Sequence, residues 1–214
     1  VVLSNNDGCV VSRSNESKAM GIAMCTPFYK IKHLADAGQL TAFSSNYALY
    51  GDISNRVMSL LADAVPKIEI YSIDEAFLML DGYPTEGLKQ FGEDIARIVR
   101  RDTGIPVSIG ISHTKTLAKV ASKLCKKYPK LNSACLMYRP EDIRKVLEKF
   151  PIEDVWGIGR RQSRMFHECR ITTAAQFCDL PEEWIDNRLN ITGKHTWLEL
   201  KGTPCIEFSH ETAD

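Results

Sequence analysis

The sequence predicts an α+β fold in which helices pack on one face of a mixed sheet, followed by an all-helical region. Two observations support this prediction. Short strand-forming runs alternate with amphipathic helical segments up to about residue 138. After Pro140 the hydrophobic spacing is helical throughout, so we place a domain boundary near residue 139.

Each strand and helix is predicted from a local sequence signal. Strands are predicted where a short apolar run lies between turn residues, at 1–4, 9–12, 40–43, 68–73, 76–80, 107–112 and 134–137. Helices are predicted where apolar residues recur every three or four positions, between Ser14 and Gly21 and at 28–37, 47–64, 85–103, 114–127, 141–149, 160–169, 173–180 and 182–189. Three of the helices end at glycines, which adopt the left-handed backbone found at helix ends: Gly21, Gly38 and Gly104.

Composition and charge limit the classes of protein to which the chain can belong. The 214 residues carry 27 basic and 27 acidic side chains, and a net charge of zero argues weakly against a nucleic-acid partner. The distribution points the other way, because residues 112–130 hold six lysines and one histidine but no acid, which predicts a basic face. No apolar run has the length of a membrane span, and no signal-peptide pattern is present.

The cysteines predict a reducing compartment. There are seven of them, an odd number, and no two are spaced as a Cys-x-x-Cys pair. This pattern argues against a disulfide framework and against a zinc knuckle. We therefore expect a cytosolic protein in which nearly all the thiols are small buried side chains.

The most informative stretch is YSIDEAFLML, residues 71–80, in which Asp74 and Glu75 stand between two strand-forming runs. Acids at strand ends are held in fixed positions, and an adjacent pair cannot share a half-buried site at low cost unless a cation neutralises it. Mg²⁺ is the natural partner, and it usually brings substrate phosphates with it. The alternative is a tight hairpin turn whose acids face water.

Two segments offer cations that could meet such phosphates. Asn15 and Lys18 stand three apart at the start of a predicted helix, where free backbone N–H groups add positive potential. On the helix predicted at 114–127, an external polyanion would relieve the repulsion among exposed lysines, which are Lys115, Lys119, Lys123, Lys126 and Lys127. The alternatives are an ordinary capped surface helix and an ordinary solvated face.

A third basic segment lies at 151–181. Gly157 and Gly159 precede a helix that carries Arg160, Arg161 and Arg164. The glycines let backbone amides come close to a phosphate, and this helix-hairpin-helix pattern suits a grip on the nucleic-acid backbone that reads no bases. The alternative is a Gly-x-Gly turn that joins two plain helices.

Together these segments resemble the Y-family of translesion DNA polymerases, and within it the UmuC-type branch. The matching motifs follow the family's order and cover nearly the whole chain: SNNDGCVVSRSNESKAMGI, NYALYGDISNRVMSLL, YSIDEAFLML, PVSIGISHTKTLAKVASKLCKK, PIEDVWGIG and TWLELKGTPC. The SIDEAF and GIS-x-x-K-x-LAK-x-AS motifs are highly specific, whereas the GIG turn alone is not. The resemblance implies a fragment of a right-hand polymerase, with fingers at 1–46, most of the palm at 47–138 and the thumb at 139–214.

The resemblance also implies roles for individual residues. Asp74 would bridge the metal ions, and Glu75 would lie near the primer 3′ hydroxyl. Asn15 and Lys18, where many relatives carry Tyr and Arg, would hold the incoming triphosphate together with Lys126 of the palm. The DNA backbone would be contacted by Gly157, Gly159, Arg160, Arg161 and Arg164.

The chemistry implied by the resemblance is two-metal nucleotidyl transfer, with two Mg²⁺ ions acting on primer–template DNA and an incoming dNTP. Small fingers would enclose the nascent base pair loosely, as expected of error-prone translesion synthesis in the SOS response to DNA damage. The family leads us to expect a processed UmuD dimer, a recombinase filament and the sliding clamp as further partners. It also implies a bacterial, cytoplasmic and nucleoid-associated protein.

Two parts of such a polymerase have no counterpart in the sequence. A further metal-binding aspartate, on the first palm strand, would precede Val1, and the little-finger domain would follow Asp214. We therefore expect the 214-residue chain alone to be inactive or nearly so, and its sheet to have an unpaired edge or to lack a central strand. Two other functions stay open: a non-catalytic module that binds the DNA backbone, and a nucleotide cyclase, although a cyclase needs no grip on a duplex.

Overall fold

The computed structural model describes residues 1–209 and divides the chain into two compact units. The first unit runs from Val1 to Ile53, and the second begins at Ser54. The predicted α+β class is confirmed, since strands and helices alternate up to residue 136 and only helices follow within the described residues. In that part of the chain, no helix combines the length and the apolar character needed to cross a bilayer.

The first unit is built on a short hairpin. Its elements are β1 (Val2–Leu3), β2 (Val10–Ser12), α1 (Asn15–Ala19) and α2 (Phe28–Asp36). β1 and β2 pair antiparallel across the loop that the sequence predicted. The core of this unit consists of Leu3, Val10, Ile22 and Ile31.

The strand predicted at 40–43 is wrong. In this run only Phe43 forms a β-bridge, and its partner is Val2. The Phe43 N–H donates to the Val1 carbonyl at 3.0 Å, and the Phe43 carbonyl accepts a hydrogen bond from the Leu3 N–H at 2.8 Å. The Thr41 carbonyl also accepts a hydrogen bond from the Val1 amino group at 2.8 Å, but β1 is only two residues long and the rest of the apolar run stays irregular.

The chain continues as a series of helices and short strands. Its elements are α3 (Tyr47–Ala64), β3 (Ile68–Ser72), β4 (Glu75–Leu78), α4 (Thr85–Thr103), β5 (Ile109–Ile111), α5 (Lys115–Lys127), β6 (Ala134–Leu136), α6 (Pro140–Leu147), α7 (Arg160–Glu168), α8 (Ala174–Cys178), α9 (Glu182–Arg188) and α10 (Ile191–Leu200). The predicted limits of α3 and α4 are confirmed. The sequence prediction missed α10, because this helix buries Thr196, Trp197 and Glu199 together and shows no single apolar face.

Among the described residues, the strands form separate two-stranded sheets and do not join into one mixed sheet. β3 and β4 pair antiparallel, whereas β5 and β6 pair in parallel across the crossover that contains α5. Both pairing directions therefore occur, but in this part of the chain no strand joins the two pairs. Each strand of these two pairs has one strand neighbour, which leaves unpaired edges as expected.

One hydrophobic core of the second unit runs from α5 to α10. It joins α5 and β6, through residues such as Leu117 and Cys135, to the helices after residue 139, through Phe166, Phe177 and Trp197. The predicted boundary near residue 139 stays a prediction, and the residues on its two sides share this core.

A buried carboxylate ties α10 to α5 and to the segment that follows α10. Glu199 is 1% exposed and accepts hydrogen bonds from the N–H groups of Thr116 at 2.9 Å, Cys205 at 3.1 Å and Ile206 at 3.2 Å. The Thr116 N–H lies in the first turn of α5, where the helix dipole favours a negative charge. Glu199 thereby fixes the start of the helix that carries the lysine series.

All seven cysteines are free, in agreement with the absence of a disulfide framework. Cys125 and Cys135 are buried, and burial raises the pKa of the Cys178 thiol to about 12. Cys25 and Cys169 are exposed, so for these two the expectation of buried thiols is wrong.

Candidate active site and nucleic-acid interface

The tip of the β3–β4 hairpin carries both predicted carboxylates. Ile70 pairs with Ala76, and an irregularity in the register then brings Ser72 opposite Glu75. Ile73 and Asp74 therefore form the turn, and Glu75 is the first residue of β4. The predicted junction of two strands is confirmed, in the form of a tight hairpin.

Side chains from two elements hold the turn. The Ser54 hydroxyl of α3 donates to the Ile73 carbonyl. The Ser72 hydroxyl donates to Oδ1 of Asp74 at 2.7 Å and accepts the Asp74 N–H at 3.4 Å. Asp74 is exposed, and within the described residues its Oδ2 accepts no hydrogen bond, so one oxygen of a fixed carboxylate is open to a ligand.

Glu75 faces a cation rather than bulk water alone. Its Oε2 lies 2.7 Å from Nζ of Lys119, which comes from α5, and its side chain is 42% exposed. In the described part of the chain its Oε1 has no hydrogen-bond partner. The hairpin and the basic helix are therefore in direct contact through one carboxylate oxygen.

The prediction of five outward-facing lysines on α5 is wrong for two of them. The side chains of Lys115 and Lys119 are only 10% and 17% exposed, because they pair with Glu69 of β3 at 2.6 Å and with Glu75. Lys123 pairs with Asp154 at 2.6 Å. Acids that are distant in sequence thus pair with three of the five lysines of α5. The sequence next to α5 holds no acid and so could not reveal these pairs.

The remaining lysines of α5 are available to an anion. Lys126 is exposed in the last turn, and among the described residues no acid pairs with it. Lys127 lies beside the ring of Tyr128, at 5.6 Å from its centroid. Lys126 is therefore free to contact an anion such as a phosphate.

In the first unit, Asn15 and Lys18 share one face of α1 as predicted. Nζ of Lys18 donates to Oδ1 of Asn15 at 3.4 Å, and both side chains are exposed. Ser14 caps the helix by accepting the Ser17 N–H at 3.3 Å. Hydrogen bonds from its own backbone N–H and from Ser14 lower the pKa of the Glu16 carboxyl.

The Gly-x-Gly turn forms as predicted between a short 3₁₀ helix at 152–154 and α7. Gly157 has a φ of 90°, and a Cβ there would lie 2.6 Å from Oγ1 of Thr196 in α10, so both the backbone and the packing require glycine. Ile158 is buried and anchors the turn. The Gly159 N–H donates to Oε1 of Gln162 at 3.3 Å and is therefore already engaged.

The charges beside this turn are exposed. The side chains concerned are those of Arg160, Arg161 and Arg164. Within the described residues none of them forms an ion pair, in contrast to Arg144, which binds Asp179 in a bidentate pair. Three free guanidinium groups at the start of one helix suit contacts with phosphates.

The carboxylates fit a hard divalent ion only in a limited way. Asp74 Oδ2 and Glu75 Oε1 are oxygen ligands of the type that Mg²⁺ prefers. No group of three or more metal-binding His, Cys, Asp or Glu side chains occurs within residues 1–209. An ion here would take most of its coordination from water and from substrate phosphates, as is usual for Mg²⁺.

Sequence reasoning missed an aromatic group around Lys119. Its Nζ lies within 6 Å of the ring centroids of Tyr71, Phe77 and Trp156. The signals available were the Lys-x-x-x-Lys spacing of Lys115 and Lys119 and the tryptophan before the Gly-x-Gly turn, but neither says which side chains meet.

Similarity to known proteins shows the family of this chain. Residues 1–123 match the model of the impB/mucB/samB family. The chain belongs to this family. The UmuC-type resemblance is confirmed, because the chain is 42% identical over 209 residues to Protein UmuC of Salmonella typhimurium, which covers 97% of this chain and 50% of that protein.

A relative with a different name extends this result. The chain is 28% identical over 200 residues to DNA polymerase IV 1 of Halalkalibacterium halodurans, an alignment that covers 91% of the chain and 46% of the relative. It therefore spans about half the length of the curated relatives it matches.

Solved structures confirm the right-hand polymerase fold class. The chain is similar to DinB from Sulfolobus solfataricus with a TM-score of 0.73 and 26% identity, covering 94% of this chain and 57% of that one. It is also similar to an insertion ternary complex of Dbh DNA polymerase, with a TM-score of 0.71 and 25% identity over 94% of this chain and 58% of that one.

Proposed function

We propose that this chain supplies the fingers, palm and thumb of an error-prone, DNA-dependent DNA polymerase that performs translesion synthesis in the SOS response to DNA damage. The proposal includes the limits 1–46, 47–138 and 139–214 for these parts. One observation carries it: the carboxylate hairpin tip at Asp74 and Glu75 lies directly against α5, the helix that ends in the free cation Lys126. The family membership and a relative named as a DNA polymerase support it.

In this proposal each residue has a physical task. Asp74, oriented by Ser72, and Glu75 hold Mg²⁺ through their open oxygens. The bound ions would activate the primer hydroxyl and neutralise the charge on the triphosphate. Lys126 meets the phosphates of the dNTP, and we propose the same task for Asn15 and Lys18 on the basis of the resemblance. Template and primer bind along the arginines of α7.

The other partners are also proposals. A processed UmuD dimer, a recombinase filament and the sliding clamp follow from the resemblance to UmuC-type polymerases. The same holds for two Mg²⁺ ions and for a nucleoid-associated, cytoplasmic location.

The phosphate role of Lys126 gives a matched test. We expect Lys126→Ala to weaken binding of a manganese–dNTP complex to the chain by about tenfold, since a point charge is lost from the triphosphate site. Lys130→Ala, which changes an exposed lysine four residues away, should leave this affinity within about twofold. Fluorescence anisotropy with a labelled dNTP measures both constants. Equal losses for the two variants would reject the assignment of Lys126.

A second test separates the backbone grip from the rest of the basic surface. We expect simultaneous replacement of Arg160, Arg161 and Arg164 by alanine to weaken binding of primer–template DNA and to lower the slope of log K against log salt by about 2 to 3. Anisotropy titrations between 50 and 200 mM salt, about the range in which such slopes are resolved, measure it.

The matched control for this test is another arginine triple, formed by Arg97, Arg100 and Arg101 of α4. These side chains are exposed, and two of them pair with Asp94 and Asp102. Their replacement should leave the salt slope unchanged. An equal loss of DNA affinity in both triple variants would mean that DNA binding depends on the total charge and not on the arginines of α7.

The same chain separates the alternatives. A non-catalytic DNA-binding module would lose DNA binding with the α7 arginines but would show no manganese-dependent dNTP binding. A nucleotide cyclase would bind the nucleotide but would keep that affinity when primer–template DNA is added or removed. The polymerase proposal requires both kinds of binding in one chain.

A further inference from the structure

The ammonium group of Lys119 lies in an aromatic enclosure. Its Nζ is 4.9 Å from the ring centroid of Tyr71, 5.4 Å from that of Phe77 and 5.6 Å from that of Trp156. Each distance is within the range of an attractive cation–π contact. The rings also contact one another edge-on or tilted, with centroids 5.5 to 5.9 Å apart. The cation is therefore held on several sides.

These contacts leave Lys119 little freedom to move away from Glu75. Its side chain is 17% exposed, and its Nζ lies 2.7 Å from Oε2 of Glu75. One turn earlier, the equally enclosed Lys115 binds Glu69 at 2.6 Å and lies 5.0 Å from the centre of the Phe77 ring. Two ion pairs thus fasten α5 to the hairpin, and the second of them occupies one oxygen of a proposed metal ligand.

The charge at the hairpin tip follows from this arrangement. Asp74 and Glu75 contribute two negative charges, and the fixed ammonium of Lys119 cancels one of them. A bare divalent ion would meet a net charge of about −1 together with a like-charged ammonium nearby, which disfavours its binding. An ion that arrives with a triphosphate brings its own oxygen ligands and negative charge, so the ammonium opposes it much less.

We propose that Lys119 is a positioning residue: a fixed counter-ion of Glu75 that keeps the carboxylate pair weak for a free divalent ion, so that the ion binds together with the nucleotide's phosphates. This inference rests on the proposed function, because it takes Asp74 and Glu75 as the metal ligands. It adds a role for the aromatic residues Tyr71, Phe77 and Trp156, which hold the ammonium in place.

The test uses Mn²⁺ as the probe and the 214-residue chain as the protein, with free Mn²⁺ followed by electron paramagnetic resonance. We expect Lys119→Met to tighten Mn²⁺ binding in the absence of nucleotide by about tenfold, since one opposing charge is removed. With a dNTP present, the same change should give no gain in affinity. Lys119→Arg, which keeps the charge, should bind Mn²⁺ like the unmodified chain.

Two further variants make the result specific. In a Glu75→Gln background, Lys119→Met should change Mn²⁺ affinity by less than about twofold, because the partner of the ammonium is already gone. Lys123→Met, one turn further along α5 and paired with Asp154, should leave Mn²⁺ affinity unchanged. A merely structural role for Lys119 would weaken Mn²⁺ binding in every background.

The outcomes distinguish this inference from the function on which it rests. If Mn²⁺ binding depends on Asp74 and Glu75 but Lys119→Met leaves it unchanged or weaker, the counter-ion proposal is overturned and the polymerase proposal stands. If Mn²⁺ binding survives the loss of both carboxylates, the metal site itself is overturned and the inference falls with it.

Discussion

Replacing Asp74 and Glu75 together with alanine is expected to lower manganese-dependent dNTP binding by about 100-fold or more, because it removes both protein ligands of the ion. The fold should tolerate the change, because the ion pair between Lys115 and Glu69 still fastens the hairpin to α5. Asp74 is exposed at the tip of the hairpin, and Glu75 is 42% exposed. Isothermal titration with a manganese–dNTP complex measures the loss, and circular dichroism checks the fold.

The chain contains a second adjacent acid pair that serves as the control. Glu141 and Asp142 are exposed in the first turn of α6, with Lys145 at 3.8 Å from Asp142. Their double replacement should leave nucleotide binding unchanged, since within the described residues neither carboxylate forms an ion pair with a lysine of α5. A chain that binds manganese and nucleotide equally well without Asp74 and Glu75 would contradict the proposed function at its base.

Gly110→Ala is expected to produce the largest loss of stability of any single methyl added to this chain. A Cβ at this position in β5 would lie 2.0 Å from the Ala118 carbonyl oxygen and 2.2 Å from the Ser122 nitrogen, both in the backbone of α5. Neither atom can turn away as a side chain could, so α5 must move off the sheet. We expect the free energy of unfolding to fall by about 3 kcal/mol or more.

Thermal unfolding compared with Gly87→Ala tests this expectation. Gly87 lies on the exposed side of α4, and a Cβ there would meet no atom within 4 Å. Its replacement should raise stability by about 0.5 to 1 kcal/mol, because alanine loses less backbone entropy in a helix. Similar effects for the two glycines would show that the close approach of β5 and α5 is not what fixes this part of the fold. Since α5 carries Lys119 and Lys126, Gly110→Ala should also weaken nucleotide binding.

The sequence alone determined much of this protein. The apolar spacing of α3 and α4 predicted both helices to the residue, and the run around Asp74 predicted the hairpin. Local caps and glycines are sufficient for such elements, because their signals lie within a few residues of each other. The specific motifs at residues 71–80 and 106–127 also led to the family, which the matching model confirms.

Only the tertiary structure decided which charges meet. The lysines of α5 find their acids in β3, β4 and the 152–154 turn, at sequence separations that no local pattern reveals. The sequence prediction also missed α10, because a helix that buries both Glu199 and Trp197 shows no amphipathic period. Periodicity reports which side of an element faces the core, whereas the partner of a half-buried charge depends on how distant elements pack. In this chain, packing of α5 against the hairpin buries part of a lysine series that the sequence predicted to be exposed. It makes Lys119 a fixed counter-ion of Glu75.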